Sequence, residues 1–355
     1  MKKFLLGMLM VLVVVALGGA AYWWQHEKYL DAFAKAPFGT DGSHLIVIPP
    51  GTGPKTLSTL LARGGLVSSG KDFFAWLHRE KSAPKLKAGE YEFTGPQTPD
   101  QIVQKLMSGQ QKLYHFTVPE GLRVDEVLPI LAQSELHLDP NRLAELAKDR
   151  AFIHKTGVPG DSLEGFLFPD TYSFAHGFTE ASVLAKMVSR ALEEYKKADP
   201  DRKPGVTLDL FQTMTLASIV EKETGRPEDR THIACVFHNR LKQHIRLGTD
   251  PTVLYAMMLL RGKFVKNITS ADLRTMHPYN TYMVYGLPPG PIAQPGAAAI
   301  HAALNPLDCP DTFFVSRNDG TTVFCPDLKC HEAAVDVWQK QYFAKKRKKA
   351  ARAHK

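Results

Sequence analysis

The sequence has no Gly-rich phosphate loop, no HExxH pair and no G-x-S-x-G elbow. The residue patterns of nucleotide cradling, zinc-protease chemistry and serine-hydrolase chemistry are therefore missing, and neither a cofactor nor a metal is expected. Cysteine is scarce, with four in 355 residues: Cys235, Cys309, Cys325 and Cys330. CPDLKCH has a C-x4-C spacing, and with Cys309 upstream it offers a zinc set, but no second compact ligand pair follows. A disulfide is the preferred reading. Cys325–Cys330 is the first pairing expected, although spacing alone leaves the connectivity among Cys309, Cys325 and Cys330 open. Cys235, on an apparently apolar helix face in HIACVFHNRL, reads as a buried thiol.

Charge is missing in two places. No charged residue lies between Phe4 and Trp24, a run long enough to cross a bilayer as a helix of about 20 residues. Lys2 and Lys3 precede it, which by the positive-inside rule places the N-terminus in the cytoplasm. A cleaved signal peptide is the alternative, with Gly18-Gly19-Ala20-Ala21 as small residues for cleavage. The run exceeds the usual length of a signal h-region, which favours an anchor. Either way residues 25–355 leave the cytoplasm. Acid is missing from AKKRKKAARAHK, residues 344–355, which holds seven Lys or Arg. Removing these seven from a net charge of +8 leaves about +1. The folded body is nearly neutral, which argues against a nucleic-acid surface. The tail reads as a solvated, disordered extension suited to anionic lipid headgroups or wall polymer, or to no specific partner.

What is present has order. HLIVIPPGTGPKTLSTLLARGGLV (44–67) resembles YHFTVPEGLRVDEVLPILAQSELH (114–137) at an offset of 70. Gly51 matches Gly121, Leu57 matches Val127, Leu60 matches Ile130 and Leu61 matches Leu131. Each copy predicts a strand, a turn, an amphipathic helix and a second helical stretch. LKAGEYEFTG (86–95) alternates as a strand does. TPDQIVQKLMSG (98–109) predicts a helix capped by Thr98 and closed at Gly109. The fold class is α+β: an N-terminal transmembrane helix (1–24), a stalk (25–43), a small β-α-α-β module (44–113), a larger mixed α/β region (114–341) and the basic tail (342–355). The module is LysM-like in pattern, which suggests glycan binding; a structural spacer is the alternative.

VTLDLFQTMTLASIVEKETG (206–225) predicts a helix with Thr207 as N-cap and Gly225 as the residue past its end. Pro227 then starts another helix. Glu221 and Glu223 lie two residues apart, and at about 100° per residue they point nearly opposite ways. They cannot both face one scissile bond, so they do not form a carboxylate pair. Glu223 shares its face with Leu216, Ile219 and Val220, an apolar wall that disfavours the carboxylate and raises its pKa. The negative end of the helix dipole acts the same way. A carboxyl group still protonated near neutral pH suits a general acid. Glu221 faces a smaller, more mixed surface, and there it orients a neighbour or meets solvent.

These residues belong to an ordered set: LEGFLFPDTY (163–172), ASIVEKET (217–224), FHNRL (237–241), LGTDPTVLYA (247–256), YNTY (279–282) and GLPPGPIAQPG (286–296). Taken together, the chain resembles the endolytic murein transglycosylase, or YceG-like, family along nearly its whole length. The resemblance implies that Glu223, followed by Thr in EKET, is the acid/base residue of a polysaccharide lyase. The bond cut would be the MurNAc-β-1,4-GlcNAc linkage within nascent peptidoglycan strands, leaving 1,6-anhydroMurNAc ends and terminating strand growth. It also implies an inner-membrane location with the catalytic domain outside the cytoplasm, and cell-wall synthases as partners. Glu221 would support the site. Further candidates for polar or sugar contacts are Glu164, Asp170, Asp250, Tyr279, Asn280 and Tyr282. Asp170 and Asp250 read equally as helix N-caps, and the tyrosines as core. The rival functions are a hydrolytic muramidase using Glu164 or Asp250 as its second carboxylate, and a non-catalytic, membrane-tethered glycan-binding scaffold.

Overall fold

The computed structural model describes residues 2–82, 85–342 and 344, so the basic run of the tail lies outside the described residues. The chain divides into two compact units. One comprises Met1–Tyr114 with Ser173–Gly177; the other comprises His115–Tyr172 and the chain from Phe178 onward.

The first unit begins with helix α1 (Lys2–Lys35), whose first part is long and apolar enough to cross a membrane. The helix does not stop where a stalk is expected. It runs on to Lys35, and Leu30, Phe33 and Ala34 in its last turns are buried in the core of the unit. Arg79 secures this end through Glu27 at 2.9 Å and Asp31 at 2.7 Å. The rest of the unit is β1 (Ser43–Ile48), α2 (Pro54–Arg63), α3 (Gly70–Arg79), β2 (Gly89–Thr94) and α4 (Pro99–Ser108). β1 and β2 pair antiparallel, with Ile46 opposite Tyr91. Phe73, Trp76, Leu77, Tyr91 and Phe93 fill the space beneath them. Each such side chain removed from water contributes about 1.5–3 kcal/mol. α4 has the predicted ends: Thr98 and Gln101 form a capping box, and Gly109 closes the helix at φ 77°.

The 70-residue repeat is realised in three dimensions. β3 (Leu113–Thr117), α5 (Val124–Ala132) and α6 (Pro140–Leu146) reproduce β1, α2 and α3. Gly51 and Gly121 both take positive φ, 78° and 75°, where a side chain would strain the turn. Leu57 and Leu61 are buried in the first copy, Val127 and Leu131 in the second.

After α7 (Arg150–Lys155) and β4 (Thr171–Ala175), which pairs with β3, the second unit becomes mainly helical. It holds α8 (Glu180–Ala198), α9 (Leu210–Glu223), α10 (Arg230–Lys242), α11 (Asp250–Arg261), the single turn α12 (Ser270–Leu273) and α13 (Ala297–Leu304). Every residue from Thr213 to Val220 is buried, so α9 is the central helix of the unit. The small side chains Ala299, Ala302 and Ala303 of α13 are buried too, and α13 packs on α9. The hairpin β5 (Phe313–Ser316) and β6 (Thr322–Cys325) then packs with α14 (Leu328–Val335) around Val315, Cys325 and Ala334.

Cys325 and Cys330 are joined, in the pairing expected first. Cys235 is not a free thiol. It is bonded to Cys309, 74 residues away, because α10 lies directly against the segment before β5.

Candidate active site

α9 starts two residues later than the sequence suggests. Asp209, not Thr207, caps it, in a capping box with Gln212. It ends at Glu223 because Thr224 turns extended, with φ −141°; Gly225 does not take a left-handed conformation. The Thr224 hydroxyl accepts from the Arg226 N–H at 2.9 Å, which holds the turn leading into α10.

Glu223 lines a cleft of about 670 Å³ together with Arg240, Arg246, Gly248, Thr249, Asp250 and Tyr282. The C-terminal hairpin and the chain after it also line the cleft, through Phe313, Ser316, His331 and Gln339. The Thr249 hydroxyl donates to Glu223 Oε1. Burial raises the Glu223 carboxyl to about 7, against the Thr249 hydrogen bond and Arg240, which favour the anion; the charge of Asp250 adds to the rise. Asp250 is the first residue of α11 rather than its cap, and it accepts from Tyr282 Oη at 2.8 Å.

The loop carrying Thr249 is held by Thr281 of YNTY. Its carbonyl accepts from the Gly248 N–H and its hydroxyl from the Thr249 N–H, both at 3.1 Å. Thr252 Oγ1 lies 2.7 Å from both Thr281 Oγ1 and the Thr249 carbonyl. Arg240 is fixed by two carbonyls, donating from Nε to Thr312 at 2.6 Å and from Nη1 to Leu247 at 2.5 Å. Thr249, Thr281 and Arg240 all fall inside motifs visible in the sequence, LGTDP, YNTY and FHNRL. Hydroxyl and guanidinium groups there give no signal of which loop they will meet.

The remaining candidates are elsewhere. Glu221 leaves the opposite side of α9, as helix geometry requires, but its surroundings are neither mixed nor solvated. Its side chain is 6% exposed, pairs with Arg230 at 2.9 Å and accepts from the Gly296 N–H at 3.1 Å. Burial raises its pKa against both partners. It fastens α9 to α10 and to the start of α13. Glu164 is also buried, at 6% exposure, and does not line the cleft. It accepts from Gln294 Nε2 at 2.7 Å, the Val124 N–H at 3.1 Å and Tyr255 Oη at 3.2 Å. Burial raises it to about 8 despite these donors. Asp170 precedes a strand rather than capping a helix, and pairs with Arg190 at 3.2 Å. Asn280 is fully buried and donates to the carbonyls of Asp272, Leu273 and Thr275. Tyr279 packs on Tyr255, ring centres 4.9 Å apart, beside Val253 and Met257. The structure thus gathers Glu223, Asp250 and Tyr282 in one cleft and leaves Glu221, Glu164, Asp170, Tyr279 and Asn280 outside it.

His232, Cys309 and Asp311 place potential metal-ligand atoms within 4.8 Å of one another. Cys309 is held in its disulfide and His232 lies 2.7 Å from Asp311, so this set does not fit a metal ion.

Known proteins are similar to this chain. The chain is 32% identical over 308 residues to the endolytic murein transglycosylase of Bacillus subtilis, covering 82% of this chain and 84% of that one. It is 28% identical over 365 residues to the endolytic murein transglycosylase of Streptococcus pneumoniae, covering 94% of this chain and 65% of that one. A crystal structure of a YceG-like protein from Listeria monocytogenes superposes with a TM-score of 0.55 at 28% identity, over 82% of this chain and 98% of that one. The YceG-like family pattern runs through residues 46–337, across both units, and the chain belongs to the YceG-like family.

Proposed function

We propose that the protein is a lytic transglycosylase that cuts MurNAc-β-1,4-GlcNAc bonds within peptidoglycan strands, with Glu223 as its one acid/base group. The observation that carries this reading is the protonatable Glu223 carboxyl in the cleft, raised to about 7 and aligned by Thr249. The names of the relatives supply the substrate class.

Glu223 starts protonated. Thr249 occupies Oε1, which leaves the other oxygen to donate its proton to the glycosidic oxygen as the bond to the muramyl C1 breaks. Positive charge then builds on C1 and the ring oxygen. The Glu223 carboxylate takes the proton of the muramyl C6 hydroxyl, and O6 closes on C1. The acid is regenerated and no water is consumed. A single carboxyl group suffices because the nucleophile belongs to the substrate.

Hydrolysis is the second reading, favoured by one observation: Asp250 shares the cleft with Glu223. Its hydrogen bond to Tyr282 engages one oxygen and leaves the other able to orient water. Mass spectrometry of products from uncrosslinked peptidoglycan separates the readings. Muramyl ends one water lighter than a reducing end support the transglycosylase; ordinary reducing ends mean that water attacks. Binding without cleavage by folded protein supports the scaffold.

The same proposal places α1 in the inner membrane with its N-terminus in the cytoplasm and both units outside. It assigns glycan binding to the LysM-like first unit and strand termination beside the cell-wall synthases to the whole.

A further inference from the structure

The two arginines of the cleft are in different states. Arg240 is half-buried, and two backbone carbonyls engage its guanidinium. Arg246 is exposed on the same cleft, and among the described residues no carboxylate forms an ion pair with it. The two acids of the cleft have other partners, Glu223 with Thr249 and Asp250 with Tyr282. The Arg246 guanidinium lies 4.7 Å from the ring centre of Tyr285, itself 64% exposed. Stacking on an aromatic face orients the plane of a guanidinium and leaves its edge N–H groups free. Such an edge matches a carboxylate, which it can bind with two parallel hydrogen bonds.

Both members of this stack are anchored at one point. Arg246 stands two residues before Gly248 and three before Thr249, and Tyr285 stands four residues after Thr281. Thr281 ties these segments together by bonds from the Gly248 and Thr249 N–H groups. The guanidinium is therefore registered to the same loop that aligns Glu223.

We propose that Arg246, held by Tyr285, is a subsite for a carboxylate carried on the lactyl branch of the muramyl residue, and that it makes the enzyme selective for anionic strands. This rests on the peptidoglycan reading above. The carboxylate has two sources: the attached peptide, or the lactyl group itself where the peptide has been removed. The neutral glycan backbone has no other anion to offer.

The test measures cleavage by the full-length protein in detergent on three substrates: peptide-bearing strands, the same strands with carboxyl groups amidated, and peptide-free strands with free lactyl carboxylates. Wild type should cleave peptide-bearing strands with kcat/KM about tenfold above the amidated ones, the size expected of one charge-assisted pair. Arg246→Gln should abolish that preference by raising KM with kcat unchanged, and Arg246→Lys should restore part of it. If the Arg246→Gln defect persists on peptide-free strands, the subsite takes the lactyl carboxylate as well as the peptide carboxylate; if it vanishes there, the subsite takes the peptide carboxylate alone. Equal loss on charged and amidated strands, or no loss on either, overturns the subsite while leaving the cleavage reading intact. No cleavage of any substrate by wild type overturns both.

Discussion

Glu223 and Glu221 show how two residues of one motif are given different work by what surrounds them. Glu223→Gln should lower kcat by about 10³-fold, since it removes the carboxyl that the proposed mechanism uses to protonate the leaving oxygen. Its thermal unfolding should show an intact fold. Glu221→Gln should retain more activity and lose stability, because it weakens the contact with Arg230 and Gly296. A melting curve beside a rate measurement separates the two. The neighbours of Glu223 should shift its titration in opposite directions. Thr249→Val removes a donor to the carboxylate, so the pKa rises and the alkaline limb of the activity profile moves up. Asp250→Asn removes a nearby negative charge, so the pKa falls and the limb moves down. Limbs that move together would show that Glu223 is not the group being read.

At the scale of elements, the cleft is made by fastening three pieces to α9. The first is the loop before α11, held by Thr281. The second is α10, which carries Arg240. The third is the C-terminal hairpin, fixed to α10 by Cys235–Cys309, by Asn239 donating to the carbonyls of Cys309 and Asp311, and by Arg240 on Thr312. Replacing Cys235 and Cys309 together with serine should cost about 2–4 kcal/mol, because that crosslink closes a long loop. It should also lower activity by loosening the wall that holds Arg240. Replacing Cys325 and Cys330, whose sequence separation is only 5, should cost less. Denaturant midpoints of the two double variants give the comparison. The repeat adds a further lesson. Two copies of one strand–helix–helix pattern keep their turn glycines and buried leucine positions. Only the second continues into the unit that holds the cleft.

At the scale of the molecule, the role proposed for Glu223 and stability oppose each other. Glu223 and Glu164 have folded pKa values near 7 and 8, above their unfolded values. Below the unfolded carboxyl pKa both states are protonated and nothing is lost. As pH rises through the folded values, the unfolded chain ionises first and stability declines, by ~3 kcal/mol for Glu223. Glu223→Gln should therefore melt higher than wild type at pH 8.5 and alike at pH 4.5. Equal melting curves at both pH values would mean that the carboxyl is not perturbed in the folded state. α1 sets the other large-scale feature: its long apolar stretch continues without a break into the core of the first unit, so the two are joined by continuous helix rather than by a loose tether.

Much of this was legible from residue order alone. Hydrophobic periodicity and caps are local, so the apolar N-terminal helix, the ends of α4, the strand–helix repeat and the opposition of Glu221 and Glu223 could all be read directly. The same local logic pointed to a raised pKa at Glu223, but it gave no sign that burial also raises Glu221 and Glu164. What it could not decide was which segments meet. Cys235 reads as an apolar-face thiol until α10 meets residue 309. Glu221 reads as a mixed-surface residue until Arg230 and the Gly296 N–H close over it. Asn280 and Glu164 look like substrate contacts until long-range packing buries them in hydrogen bonds to backbone and side chains. Thr249 and Arg240 acquire their roles only where a loop 26 residues beyond Glu223 folds back over the end of α9. Chemical type and helical phase are properties of neighbours in the chain. Burial, pairing and the electrostatic setting of a carboxyl group are properties of neighbours in space, and those the tertiary structure alone decided.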